Sequence, residues 1–335
     1  MPIFANVTVK INKEMTDRSM QEIEEMKGAK YINPYTDFGF KKLFGTPLNK
    51  DLLISFLNSL FDGKEVVRDL TYLNGENLGN GYGDRRAIFD VYCENEQGET
   101  FIVEMQKAEQ QFFKDRSVFY STFPIQNQGK KGIWNFNLKG VYTVGILDFV
   151  FPDHEYPKDS LRHEVKLVDI DDKHVFYDKL TFLYLEMPKF TKGEDELETM
   201  FDKWLFVLHN LSRLMKRPAA LQERIFTRLF EQAEIARYTP EERQDYEDSL
   251  KVYRDMKNVL DTAELRGLEK GRKEGLKEGR KEGRKEGRKE GRKEGIEQGT
   301  IEERRKNAKA MKALGLPLET IVKVTGMSAD DIAEL

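Results

Sequence analysis

The sequence predicts an α/β fold, a mixed sheet flanked by helices, followed by a helical region and a charged, glycine-repeating tail. Three observations carry this. Between residues 37 and 151 the apolar pattern runs helix, strand, hairpin, helix, strand, an order that layers helices on a sheet. Residues 86–107 hold two runs, Ala87 to Cys93 and Thr100 to Gln106, mixing β-branched and aromatic residues with polar ones around a turn-rich stretch that ends in Gly98. From Gly267 to Gly299 glycine returns every fourth residue, mostly as Gly-Arg-Lys-Glu.

In chain order this gives an N-terminal tail (1–30), a core (31–192), a helical region (193–262), the repeat (263–300) and a short helical segment (301–335). In the tail Val7, Val9 and Ile11 alternate with polar residues while Met20 to Lys30 is rich in charge, and partial disorder is expected there. Residues 37–61 read as a helix capped by Thr36 or Asp37, with Phe40, Leu43 and Phe44 at helical spacing, an interruption at Pro47, and a second stripe through Leu52, Leu53, Phe56, Leu57 and Leu60. A strand over Val66 to Leu73 leads into a stretch with Gly75, Gly79, Gly81 and Gly83. It lacks the Gly-Lys-Ser/Thr ending of a phosphate-binding loop and reads as a flexible loop at the mouth of a site. After the hairpin come a helix from Ala108 to Phe123, a strand in Lys139 to Phe151 and a strand-like segment from Phe176 to Phe190. Three helices follow. Trp204, Leu208 and Leu211 mark the first, Leu221 to Ala236 forms the second, and Thr239-Pro240-Glu241-Glu242 opens the third with a capping box. Their aromatic and Met stripes are packing faces.

The hairpin has a definite register. A three-residue loop, Glu96-Gln97-Gly98, puts glycine at the left-handed position. Counting back from Asn95 opposite Glu99 places Cys93 opposite Phe101, Asp90 opposite Glu104 and Ile88 opposite Gln106. Directly opposed residues have Cβ atoms roughly 4.5–5.5 Å apart, and like charges there repel. A hard divalent cation removes that penalty, since Mg²⁺ is commonly held by one or two carboxylates plus water and phosphate. Gln106 points to the same side. The competing reading is a solvated strand face carrying two acids, and a slip of one residue abolishes the pairing.

These residues resemble the PD-(D/E)xK nuclease superfamily, in its branch of Rpn-type recombination-promoting nucleases and transposases. Asp90 and Glu104-Met105-Gln106 carry the site motif; Thr36-Asp37-Phe38-Gly39-Phe40-Lys41-Lys42-Leu43-Phe44-Gly45 is similar to the family's opening motif. Arg116 and Tyr120 match its helix after the hairpin, and Leu185-Glu186-Met187-Pro188-Lys189-Phe190 its closing signature, so the likeness spans about residues 31 to 260. The resemblance implies a restriction-endonuclease-like core and a divalent-metal-dependent DNA endonuclease linked to DNA recombination or mobile elements. It implies that Asp90, Glu104 and the Met105 carbonyl hold Mg²⁺, or another divalent cation such as Mn²⁺ or Ca²⁺, and that no side chain acts as nucleophile. Many members carry lysine where this chain has Gln106, which leaves Lys41, Lys42 or Arg116 to supply the missing positive charge. Asp37 is either an N-cap or a third acidic group reaching the metal. Arg116 either contacts a phosphate or is a buried structural arginine. A catalytically weak or inactive nucleic-acid-binding protein of the same fold is the alternative.

Composition fits this reading. The single cysteine, Cys93, excludes an internal disulfide framework and points to a reducing, cytoplasmic setting. The richest apolar run, Val141 to Phe151, is too short to span a bilayer, so no membrane partner is expected. Gly271 to Gly295 hold eleven Lys and Arg against six Glu, a net of +5, so the rest of a chain of net charge −4 carries −9. The body of the protein thus has no global field for DNA, and the basic repeat is a candidate grip. Each glycine costs a helix about 0.8–1.0 kcal/mol. That favours a linker, whereas a glycine stripe on paired helices would make a homo-oligomer. Leu316-Pro317 and Ser328-Ala329-Asp330-Asp331 start two short terminal helices.

Overall fold

The structure, a computed structural model, describes residues 28–61, 67–77, 87–129, 134–151, 157 and 159–335. Nearly all of the N-terminal tail and most of the glycine-rich stretch before the hairpin lie outside these residues. The chain forms two compact units, residues 1–261 and 262–335. Among the described residues no helix is long and apolar enough to cross a membrane.

Helix α1 (Asp37–Phe44) starts where Thr36 Oγ1 accepts the Gly39 N–H at 3.0 Å, so Thr36, not Asp37, is the N-cap. A 3-10 turn, Pro47–Asn49, re-aims the chain into α2 (Lys50–Phe61). Among the described residues eight strands follow: β1 (Leu70–Tyr72), β2 (Glu76–Asn77), β3 (Ala87–Ile88), β4 (Val91–Asn95), β5 (Thr100–Gln106), β6 (Val141–Leu147), β7 (Arg162–Val168) and β8 (Val175–Glu186). Six of them make a mixed sheet in the order β1-β4-β5-β6-β8-β7, parallel from β5 through β6 to β8 and antiparallel elsewhere. Strands β2 and β3 pair separately.

The hairpin turns as its loop length dictates. Gly98 has φ +80°, the Asn95 N–H donates to the Glu99 carbonyl at 2.9 Å, and Cys93 opposes Phe101. Pairing of β4 with β5 stops at Val91 opposite Val103. Ile88 does not reach Gln106. The chain bends at Asp90, and Ile88 pairs with Glu76 instead. Strand β7 has no counterpart in the sequence reading. It is an edge strand with most residues half or fully exposed, and its charged residues hide the apolar pattern that marks inner strands.

One sheet face carries Cys93, Phe101, Val103, Met105, Val144, Ile146, Leu183 and Leu185 into the main core. That core is completed by α1, α2, α4 (Met200–Asn210), α5 (Arg224–Ala233) and the start of α6 (Pro240–Ala313) through Tyr246, Leu250 and Tyr253. Burial pushes the Cys93 thiol up to about 12, so it is core filler. Trp204 centres the helical side, its ring 5.7 Å from Phe56 and 5.2 Å from Phe226, its indole N–H donating to Ser55 Oγ at 3.1 Å. On the other face lies α3 (Phe113–Asn127), with Phe113 against Tyr184 and Tyr120 against Phe89. It starts five residues later than the pattern predicts, because residues 107–112 are spent turning off β5.

The closing signature is a lock at the end of β8. Glu186 is fully buried, accepts the Phe151 N–H at 2.8 Å, pairs with Lys189 and lies 3.5 Å from His163. In the repeat the chain is helical rather than a linker, within α6. Arg, Lys and Glu fill most of the positions between the glycines and are strong helix formers, ion pairs such as Lys273–Glu269 (2.7 Å) brace it, and no proline occurs between Pro240 and Pro317. The helix stops where Gly315 turns left-handed, φ +73°. Helices α7 (Leu318–Thr325) and α8 (Ala329–Ala333) then close a small cluster of Ala308, Ile321 and Ile332.

Candidate active site

The bend at Asp90 and the middle of the sheet meet here. Asp90 sits one step beyond the last β4–β5 pair, and its Oδ2 accepts the Met105 N–H at 2.9 Å, which fixes the carboxylate against β5. Glu104, 8% exposed, is held between β4 and β6, where Gly145 is its neighbour. Its Oε2 accepts from Gln106 Nε2 at 2.9 Å and lies 3.8 Å from the Arg116 guanidinium.

Arg116 is held in a set of polar and aromatic contacts. It is partly buried, donates to Gln106 Oε1 at 2.7 Å and to Gln110 Oε1, and its guanidinium carbon lies 5.9 Å from the Phe113 ring centre and 5.5 Å from that of Tyr120. Tyr120 therefore supports Arg116 from beside it. The same contacts account for Gln106. A glutamine oxygen accepts from the arginine, whereas a lysine there has only donors and a second positive charge.

The electrostatics are those of two acids sharing a dry space. Burial, then the charge of Asp90, raises the Glu104 carboxyl to about 7, against the pull of Arg116 and Gln106. Burial also raises Asp90, and Asp37 adds to it, while the Met105 N–H, Lys41 and Lys107 act the other way. Lys107 was not among the residues the sequence singles out. Strand alternation sends it away from Gln106, yet its ammonium is felt at Asp90 and burial lowers its proton affinity. Asp37, freed from capping, pairs with Lys41 at 3.0 Å, and both influence Asp90 and Lys107. Lys42 is engaged elsewhere, with Glu242 and over the Tyr238 ring at 5.0 Å.

The donor set fits a hard divalent ion. The Asp90 and Glu104 carboxylates offer oxygen donors of the kind such an ion takes, and burial raises both acids. A separate Asp169, Asp172 and His174 group lies at the β7–β8 turn. There Asp169 accepts the Asp171 N–H at 2.9 Å and Asp172 the His174 N–H at 3.0 Å, which is turn chemistry.

A pH test follows from Glu104. Its folded affinity for a proton exceeds its unfolded one, so the contribution of Glu104 to the stability of the metal-free protein is fully present below the ordinary carboxylate value of 4.5 and is lost as pH rises to about 7. Glu104→Gln should therefore stabilise the chelator-treated protein at pH 8 by on the order of 2 kcal/mol, and by little at pH 4. Paired thermal melts check this. A variant no more stable than wild type at pH 8 means the acid is not under strain.

No curated protein and no solved structure matches the chain. The family described as PD-(D/E)XK nuclease family transposase nevertheless matches residues 34–263, a span that takes in the hairpin and the opening and closing motifs, and the chain belongs to that family.

Proposed function

We propose that this protein is a divalent-metal-dependent DNA endonuclease that hydrolyses phosphodiester bonds in the service of recombination or mobile elements. The observation that supports it best is the meeting of Asp90 and Glu104 across the hairpin, with Met105 held between them by its N–H. Asp90, Glu104 and the Met105 carbonyl would hold Mg²⁺ or Mn²⁺. When bound, such an ion polarises a phosphodiester and lowers the pKa of an attacking water. The chain's own groups do the rest. Gln106 offers an amide to orient water, Arg116 and Lys107 place positive charge beside the phosphate, and burial of Glu104 keeps the site dry enough for those charges to count. Arg116 takes the part that lysine plays in many members of the superfamily.

Nicking of supercoiled plasmid by the full chain tests this. Nicking should appear with Mg²⁺ or Mn²⁺ and vanish with chelator. Gln106→Lys, which deprives Arg116 of its acceptor, should lower the rate rather than raise it. Nicking that continues in chelator would overturn the assignment.

A further inference from the structure

Phe112 is expensive where it stands. It occupies the turn between β5 and α3, six residues beyond Gln106, with φ +65° and ψ +29°. That left-handed conformation suits glycine, asparagine or aspartate and strains a bulky L residue. Its ring is also 68% exposed. The next residue, Phe113, does the packing, buried against Tyr184, Phe149 and Phe151. The fold thus obtains its aromatic contact from Phe113 and carries both strain and exposed apolar surface at Phe112. Four residues on, Arg116 reaches Gln106 in the candidate site, and seven residues on, Phe119 is 45% exposed on the same helix.

We propose that Phe112 is a stacking platform for an unpaired nucleobase, so that the site takes DNA with a single-stranded or displaced base next to the phosphate it cuts. This rests on the nuclease reading above. An aromatic face binds any base without regard to sequence. It also adds a contact that does not depend on charge, in a chain whose body, outside the repeat segment Gly271 to Gly295, carries a net −9. Phe119, further along α3, extends the apolar surface on which a displaced strand can lie.

The test reads binding, not cleavage. The full chain, in chelator, is titrated with 2-aminopurine oligonucleotides carrying one unpaired base and with blunt duplex. Phe112→Ala should lower the preference for the unpaired base about 10-fold, and Phe112→Trp should keep it. Phe176→Ala, another exposed phenylalanine but on the β8 strand, should behave as wild type. Phe112→Gly should melt no lower than wild type, because glycine relieves the strain. Equal binding by Phe112→Ala and wild type overturns the proposal, as does a lower melting point for Phe112→Gly, which would make the ring structural. A protein that stacks the base yet never nicks overturns only the nuclease reading.

Discussion

Asp90→Asn should reduce metal-dependent plasmid nicking by roughly 100- to 1,000-fold while leaving the fold intact. The reasoning separates two roles of one side chain. Asp90 Oδ2 accepts the Met105 N–H at 2.9 Å, and an asparagine oxygen can accept the same bond. What asparagine cannot supply is the negative charge facing Glu104. The variant should therefore keep its melting temperature, and in chelator should even gain, since the charge that raises Glu104 is gone. Asp90→Ala should lose the activity too, but with some stability, because the buried Met105 N–H is orphaned. Plasmid nicking and melting, measured on all three proteins, check the pair. Full nicking activity in purified Asp90→Asn would remove this site from the chemistry.

Gly39→Ala should cost about 3 kcal/mol, near the upper end for overpacking. A Cβ at Gly39 would lie 2.2 Å from the Asn33 carbonyl oxygen and 2.7 Å from Thr36 Oγ1. Neither can retreat. The Asn33 carbonyl accepts from the Thr36 N–H at 3.2 Å and from Thr36 Oγ1 at 2.8 Å, while Thr36 Oγ1 caps α1. The substitution must break the cap, the turn, or both, and it shifts Asp37 with them. Urea denaturation gives the loss directly. A cost below about 1 kcal/mol would mean that the turn yields more easily than its hydrogen bonds indicate.

How much was legible follows from range. The hairpin register, Cys93 opposite Phe101 out to Val91 opposite Val103, could be read because a three-residue loop and strict alternation fix a hairpin locally, whereas the bend that ends the pairing at Asp90 could not. Lys107 could not, because it enters through the bend at Asp90 and the approach of α1, neither of which alternation encodes. The choice between Thr36 and Asp37 as cap turned on an Asn33 carbonyl three residues upstream. The place of Arg116 beside Gln106 could not be read either, because it depends on where α3 starts after the turn off β5. Strand β7 was missed because an edge strand at the sheet's margin has no need of an apolar face. The repeat is helical although its glycines favour a linker, because most of the residues between the glycines are strong helix formers.

One long-range tie governs the order in which this protein can be made. The Asn33 N–H donates to the Tyr246 hydroxyl at 3.0 Å and the Phe38 N–H to Ser249 Oγ at 3.1 Å, contacts 213 and 211 residues apart in the chain. A ribosome therefore releases the hairpin with Asp90 and Glu104 long before it releases the partners that seat α1 and its Asp37–Lys41 pair. Until α6 has emerged, the Asn33 and Phe38 N–H groups lack their side-chain acceptors and stay with water. The nascent chain thus carries Asp90 and Glu104 through the synthesis of every residue between the hairpin and α6 without the helix that packs beside α1.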